Sequence, residues 1–191
     1  MTISPSDTAI FVSTQTAALL TGKSIRTIHN WLGNTEIAGK DVPAGRIPGG
    51  AAKKIDLVSL AEHIPLTLTD TRVAWIIQAD AGQPEAMKMV GLSFHEVDNY
   101  PLAVAWFEAA AKKGEADAMD LLSWHYINGS GVKKNIPVGV LWLAKAAELG
   151  LPTALIKLQQ LGFDVGPVPL KEGVAFSPTD VHLHKKAGAK E

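Results

Sequence analysis

Residues 101–114 have the sequence PLAVAWFEAAAKKG, and residues 137–150 have the sequence PVGVLWLAKAAELG. Residues that recur between the two segments at a spacing of 36 include Pro101 and Pro137, Trp106 and Trp142, and Gly114 and Gly150. An alanine recurs with a similar period, at Ala86, Ala118 and Ala154. A period of this length is typical of stacked helix pairs, each too small to bury its apolar face alone. The middle of the chain is therefore predicted to bind a partner, not to transform a substrate.

The composition indicates a folded protein without a strong overall charge. The chain has 191 residues, of which 47% are hydrophobic, and 18 basic residues stand against 19 acidic ones. This balance does not by itself indicate nucleic acid or a membrane surface. There is no cysteine and no run of about 18 apolar residues, and the first ten residues do not predict a signal peptide. The sequence therefore predicts a soluble, cytoplasmic protein with one large domain or two small ones.

Three segments are expected along the chain. Residues 10–64 are predicted to form a helix, a second helix, a small hairpin and a third helix, residues 70–162 to form successive helices, and residues 163–191 to form a C-terminal tail. The charge is uneven, because residues 21–54 hold six basic groups and two acidic ones. If any segment meets a phosphate backbone, we expect it to be the first.

Local signals define the first two helices. Ser13 is a good cap for the first helix, Gly22 suits its left-handed end, and Ser24 is a good cap for the second helix. Four apolar residues at helical spacing predict the inward face of that second helix: Ile25, Ile28, Trp31 and Leu32.

Further signals follow the second helix. Two short strands around Gly49-Gly50 predict a hairpin that includes Lys53-Lys54-Ile55. Asp56 then suits the cap of a third helix, from Leu57 to Ile64. The run VSTQTAALLTGKSIRTIHNW, residues 12–31, together with these later signals, resembles the winged helix-turn-helix domain of the MerR and excisionase families. The resemblance covers residues 10–64.

This resemblance implies that the second helix enters the major groove of duplex DNA. The residues predicted to contact DNA lie on the outward sides of the first two helices and on the hairpin: Thr14, Gln15, Lys23, Ser24, Arg26, Thr27, Asn30, Arg46, Lys53 and Lys54. Arg26 suits guanine and Asn30 suits adenine, and the hairpin cations suit the backbone. About six phosphate contacts would give weak binding, so useful affinity needs a second copy or a recruiting partner. The alternative is that these are solvated positions on a protein-binding domain.

The middle segment resembles the Sel-one-like repeat, a relative of the tetratricopeptide repeat. The best copy has the family's residues at Ala118, Leu122, Tyr126, Gly129, Gly131, Val132, Asn135, Trp142, Lys145, Ala146, Ala147 and Gly150, and it departs at Ser123 and Gly139. The preceding copy, from Ala86 to Gly114, is four residues shorter, and half repeats flank the two copies. We expect Trp106 and Trp142 to fill the gaps between helix pairs, and Gly129 and Gly131 to adopt positive φ angles.

In tetratricopeptide-like arrays the first helix of each pair lines the concave face. Carried over to this sequence, that geometry implies a protein-binding face that includes Glu85, Lys88, Leu92, Asp117, Asp120, Trp124 and Asn128. Trp124 either lies open as an anchor for a peptide or helix, or packs against the tail or the neighbouring domain. Both alternatives stay open from the sequence.

Catalytic and metal chemistry are not predicted. Gly22-Lys23-Ser24 is similar to the end of a phosphate-binding loop, but Ala17 stands where that loop needs glycine. His182 and His184 lack a third metal ligand at a convincing spacing. His95 and His125 are predicted to lie on helix faces. We therefore expect no enzyme activity, no cofactor and no metal.

The sequence thus predicts a mainly α protein, with a small winged helix-turn-helix domain followed by a short α-solenoid. The expected function is that of a DNA-binding transcription regulator or DNA-bound adaptor, which recruits another protein or a second copy of itself through its repeats. Its partners would be double-stranded DNA and a protein, with no membrane. The alternative is a scaffold or chaperone whose N-terminal domain does not bind DNA, and a third hypothesis is a regulatory subunit of an enzyme.

Overall fold

The computed structural model describes residues 9–43 and 51–165, together with the backbone of residues 184–185. Within these residues the chain is mainly helical. The strands are β1 (Phe11–Ser13), β2 (Gly39–Pro43), β3 (Ala51–Asp56), β4 (Phe163–Asp164) and β5 (His184–Lys185). The helices are α1 (Thr14–Thr21), α2 (Ile25–Gly33), α3 (Leu57–Leu60), α4 (Asp70–Asp80), α5 (Pro84–Glu96), α6 (Tyr100–Ala111), α7 (Ala116–Asn128), α8 (Ile136–Glu148) and α9 (Pro152–Gln160), with a short 3-10 turn at Ala61–His63.

The first part of the chain forms an N-terminal unit, residues 9–66, in which a three-stranded antiparallel sheet packs beside α1 and α2. β3 lies between β1 and β2. The predicted strand at residues 53–55 is confirmed as part of β3, but its partner β2 was not predicted, because Gly39–Pro43 lacks the alternating β-branched residues typical of strands. The expected turn at Gly49-Gly50 and Arg46 both lie outside the described residues.

The helix caps observed in the N-terminal unit are those predicted from the sequence. The Ser13 hydroxyl accepts a hydrogen bond from the Thr16 amide, and the Ser24 hydroxyl accepts one from the Thr27 amide. Gly22 ends α1 with a φ of 68°, and the Asp56 carboxylate caps α3. These local hydrogen bonds satisfy helix amides that lack an intrahelical acceptor, so they were predictable without the tertiary structure.

The predicted inward stripe of α2 is wrong at one position. Ile28 is fully buried, and Trp31 and Leu32 pack against the core, but Ile25 is exposed. Ile25 is the first residue of α2 and is absent from the set of residues that pack in the core. Trp31 also stacks on the ring of His63, with 4.2 Å between ring centroids.

The second part of the chain is a stack of antiparallel helices. α5 pairs with α6 and α7 pairs with α8, while α4 and α9 are half repeats at the two ends. Small residues permit close approach within each pair: a methyl group on Gly91 would lie 2.6 Å from the ring of Phe107, and one on Gly139 would lie 2.6 Å from the Ile127 side chain. Gly129 has a φ of 77° and ends α7, as predicted. None of the described helices combines the length and apolarity needed to cross a bilayer.

The Asp80 carboxylate links the N-terminal unit to the helical stack. Antiparallel pairing of β1 with β3 places Ser13 opposite Lys54. At the end of α4, the Asp80 carboxylate accepts a hydrogen bond from the Ser13 amide at 2.8 Å. It also forms an ion pair with the Lys54 ammonium at 2.7 Å. Burial raises the pKa of Asp80, but the hydrogen bonds from Lys54 and Ser13 outweigh it, so that the pKa lies below the ordinary value of 3.8.

Asp80→Ala is expected to lower the free energy of unfolding by about 2 kcal/mol, because it leaves the partly buried Ser13 amide and the Lys54 ammonium without their acceptor. The exposed neighbour Gln78 gives the matched control, since Gln78→Ala should change stability by less than about 0.5 kcal/mol. Because the pKa of Asp80 is lower in the folded state, the ionised carboxylate stabilises the fold fully at any pH above its ordinary pKa. This stabilisation is lost as the pH falls through the pKa of Asp80 in the folded protein. Urea unfolding at neutral and acidic pH measures both effects. An equal effect of the two substitutions at neutral pH would contradict this role.

Candidate protein-binding face

Three helices lie side by side on one surface, which we call the first-helix face: α5, α7 and α9. An ion pair of 3.1 Å joins Lys88 on α5 to Asp117 on α7. A second of 2.6 Å joins Lys157 on α9 to Asp120 on α7. These pairs connect successive repeats across the surface, so the first helices of the repeats line one face, as the resemblance to tetratricopeptide arrays implies.

One end of this face is an acidic cluster around a lysine. The ammonium of Lys88 lies 2.9 Å from Glu85, 3.1 Å from Asp117 and 3.4 Å from Glu115. Burial lowers the pKa of Lys88, but the hydrogen bonds to Glu85 and Asp117 and the charge of Glu115 raise it above its ordinary value. The three carboxylates are close enough together to ligate a cation. The Lys88 ammonium lies among them and takes that position.

Glu115 has a second role in the cluster, because its carboxylate also accepts a hydrogen bond from the Ala118 amide and caps α7. Burial has the largest effect on the pKa of Glu115 and raises it above its ordinary value, although the Ala118 amide and Lys88 partly oppose that rise. The same side chain therefore begins α7 and holds Lys88 between two repeats.

The other end of the face is a groove between α7, α8 and α9, which we call the Trp124 groove. Its cavity of about 190 Å³ is lined by Asp120, Ser123, Trp124, Ile127, Asn128, Leu143, Lys157, Gln160 and Leu161. Sites for small organic substrates occupy roughly 300–1,000 Å³, so this groove has room for one or two side chains instead. The ion pair between Asp120 and Lys157 forms part of its wall.

Trp124 is exposed over 45% of its surface even though it lies among other rings. His125 is 5.0 Å and His95 is 5.6 Å from the indole, measured between ring centroids, and both meet it edge to face. Tyr100 lies on the same side at 6.5 Å. Such contacts orient the indole without covering it. Among the described residues Trp124 is therefore open, and the alternative that it packs against the tail falls on residues outside the described part of the chain.

His125 lies on α7, as the sequence predicted, and its side chain is completely buried. Its Nδ1 donates a hydrogen bond of 2.7 Å to the carbonyl oxygen of Ser130, in the turn between α7 and α8. Burial lowers the pKa of His125, and although the Ser130 bond opposes this, nearby His95 adds to it. A neutral His125 therefore holds the turn beneath the Trp124 groove.

The structure brings the predicted protein-binding residues into two groups. Glu85, Lys88 and Asp117 meet in the acidic cluster, while Asp120, Trp124 and Asn128 line the Trp124 groove. Leu92 is half-buried and packs against the core.

Sequence reasoning missed the contribution of α9 to the groove. Lys157, Gln160 and Leu161 come from this half repeat. The repeat period contained the signal, because Gln160 follows Trp124 by 36 residues and therefore occupies the equivalent position. Lys157 has no such signal, since its equivalent 36 residues earlier is the apolar Leu121.

The predicted DNA-contacting residues fall into different environments. On α2 and just before it, four polar or charged positions are exposed: Lys23, Ser24, Arg26 and Asn30. Thr27 is half-buried, and its hydroxyl exchanges a hydrogen bond with that of Ser24. At the start of α1, Gln15 is exposed and Thr14 is half-buried.

The lysines of β3 are already paired. Lys53 forms an ion pair of 2.9 Å with Asp41 across the strands, and Lys54 pairs with Asp80. By contrast, Lys23 and Arg26 have no acidic partner within the described part of the chain.

Comparison with known proteins identifies the helical stack. Residues 84–115 and 116–151 each match the Sel1 repeat family, and these two ranges contain α5–α6 and α7–α8. A Sel1 repeat protein from Oxalobacter formigenes is 30% identical over 44% of this chain, with a TM-score of 0.42. A protective antigen of uropathogenic Escherichia coli strains, described as displaying an SLR fold, is 26% identical over 62% of this chain, with a TM-score of 0.44. The present chain covers 36% and 23% of those two structures, respectively.

Proposed function

We propose that this chain is a protein-binding module, and that its first-helix face binds a segment of another protein with Trp124 as the central anchor. The observation that supports this most directly is the exposed indole beside an apolar groove on the second Sel1 repeat. Large aromatic side chains that lie next to a pocket are typical of the few residues that dominate a protein interface. The alternative function expected from the sequence, a scaffold, is therefore preferred here over a transcription regulator.

We propose no catalytic role for the chain. The carboxylates of the first-helix face are engaged by Lys88 and Lys157, and the most deeply buried imidazole, that of His125, bonds to the Ser130 carbonyl oxygen. These arrangements stabilise helices and turns. They favour a docking surface over a site that moves protons.

Trp124→Ala is expected to weaken binding of the natural partner by about 30-fold, because interface anchors contribute roughly 2 kcal/mol or more. Leu141, exposed on α8, gives the matched control, and Leu141→Ala should bind as the parent chain does. Partners captured from cells by the parent chain can be identified by mass spectrometry and their affinities then measured with each purified variant. Both variants should unfold at nearly the parent temperature. Equal partner affinity for the parent chain and Trp124→Ala would contradict the proposal.

A second candidate function is binding of duplex DNA by the N-terminal unit. It is supported by Lys23 and Arg26 at the start of α2, which are exposed and have no acidic partner among the described residues, together with the resemblance to winged helix-turn-helix domains. Two of the expected phosphate contacts, Lys53 and Lys54, are engaged in ion pairs instead. The available positive charge is therefore smaller than the sequence indicated, which makes DNA the second candidate.

Under the DNA hypothesis, replacing Lys23 and Arg26 together by alanine should lower affinity about tenfold at roughly 50 mM salt and reduce the salt slope by about two. The matched control removes two exposed lysines of the helical stack, Lys112 and Lys113, and therefore the same charge. Fluorescence anisotropy with a labelled duplex of mixed sequence measures both quantities. If the intact chain binds no duplex, or if the two double variants lose affinity equally, the N-terminal unit is not a specific DNA-binding surface.

A further inference from the structure

The Trp124 groove and the acidic cluster lie on the same line along α7. Asp117, Asp120, Trp124 and Asn128 are spaced three, four and four residues apart, so they share one side of the helix. Asp117 and Trp124 are seven residues apart, which corresponds to about 10 Å along the helix axis. An apolar pocket and an acidic group therefore lie at a defined separation on a single surface.

The acidic cluster has an inner and an outer part. Lys88 and Glu115 are inner, because each side chain is only 11% exposed, and their opposite charges lie 3.4 Å apart. Glu85 and Asp117 are outer, with side chains 65% and 55% exposed. The single ammonium leaves two negative charges in excess, and the exposed carboxylates place them where a partner can reach them.

The other charges near the groove are balanced. Asp120 pairs with Lys157, whose ammonium lies within 2.7 Å of both carboxylate oxygens. This pair adds no net charge to the groove wall. The first-helix face therefore carries its excess negative charge at the end that contains Glu85 and Asp117, and none at the Trp124 groove.

We propose that the segment bound on the first-helix face is cationic as well as apolar. It inserts an aliphatic or aromatic side chain into the Trp124 groove and places a lysine or arginine about 10 Å away, against Glu85 and Asp117. Such a pair of side chains lies seven residues apart on a helix or three residues apart on an extended strand. This inference rests on the proposed protein-binding function and adds the chemistry of the partner.

Selection from a random displayed peptide library against the intact chain tests this chemistry. The recovered peptides should contain an apolar residue with a lysine or arginine three or seven positions away, and they should require Trp124. A recovered peptide is then synthesised and its affinity measured by fluorescence anisotropy. The double variant Glu85→Gln, Asp117→Asn, which retains side-chain shape, should bind it about threefold to tenfold more weakly.

The matched control removes two exposed carboxylates elsewhere, with Glu62→Gln and Glu148→Gln, and should leave the affinity unchanged. As an independent measurement, raising the salt concentration should weaken binding to the parent chain and have less effect on the Glu85/Asp117 variant. Peptides that require Trp124 but lack an excess of basic residues, or that bind the Glu85/Asp117 variant as tightly, would overturn this inference while the protein-binding proposal stands. Failure to recover any peptide that requires Trp124 would overturn both.

Discussion

Replacing Trp106 by alanine is expected to lower the free energy of unfolding by about 3–5 kcal/mol, the range typical of a large buried aromatic residue. Trp106 lies on α6, has no exposed surface and belongs to the core of the helical stack. α5 and α6 approach so closely at Gly91 that a methyl group there would lie 3.2 Å from the Trp106 Cβ. Such tightly packed helices have little freedom to close the cavity that the substitution leaves.

The repeat itself supplies the matched control, because Trp142 occupies the equivalent position 36 residues later. Trp142 is only half-buried, and the ammonium of Lys145 lies 4.4 Å from the centre of its ring. Trp142→Ala should therefore lower the free energy of unfolding by about 1–2 kcal/mol, since less apolar surface returns to water. Urea unfolding followed by circular dichroism gives both values. Equal losses would mean that the position in the repeat, and not burial, sets the contribution.

The second large effect is expected at the turn between α7 and α8. Gly131 has a φ of 76°, which disfavours any residue with a side chain. A methyl group there would also lie 2.6 Å from the carbonyl oxygen of Tyr100 and 2.7 Å from the Pro101 nitrogen. Because both atoms belong to the backbone at the start of α6, neither can rotate away. We expect Gly131→Ala to lower the free energy of unfolding by about 3 kcal/mol or more.

Gly114 separates the conformational cost from the steric one. Its φ of 87° is also positive, but a methyl group there meets none of the described atoms within 4 Å. Gly114→Ala should therefore cost only about 1 kcal/mol in the same unfolding experiment. If both substitutions cost about 1 kcal/mol, the turn can move away from α6, and the proposed close contact does not limit this position.

Much of the local structure could be predicted because it depends on neighbouring residues. The caps at Ser13, Ser24 and Asp56 need only a side-chain oxygen two or three residues before a free helix amide. The left-handed end at Gly22 needs only a residue without a Cβ. The repeat period likewise predicted the two helix pairs that match the Sel1 family.

The candidate binding face was only partly predictable. Trp124 and Asp120 follow from the position of the first helix in each pair, and their presence in one groove agrees with that geometry. Lys157 could not be placed there from the sequence, because its contact with Asp120 joins residues 37 positions apart on different helices. The exposure of Trp124 likewise depends on what the rest of the chain leaves uncovered.

The amino-acid sequence by itself therefore determined the helix pairs of the stack, the caps of α1, α2 and α3, and the left-handed glycines that end α1 and α7. These features depend on interactions within a few residues or on a repeated pattern. Only the tertiary structure decided that Lys54 joins Asp80, that Trp106 is buried while Trp142 is half-exposed, and that Trp124 lies open beside a groove. Burial and ion pairing depend on which distant segments lie against a side chain. Two residues with the same place in a repeat can therefore have different environments, and the same residue type can stabilise the core or lie on a binding surface.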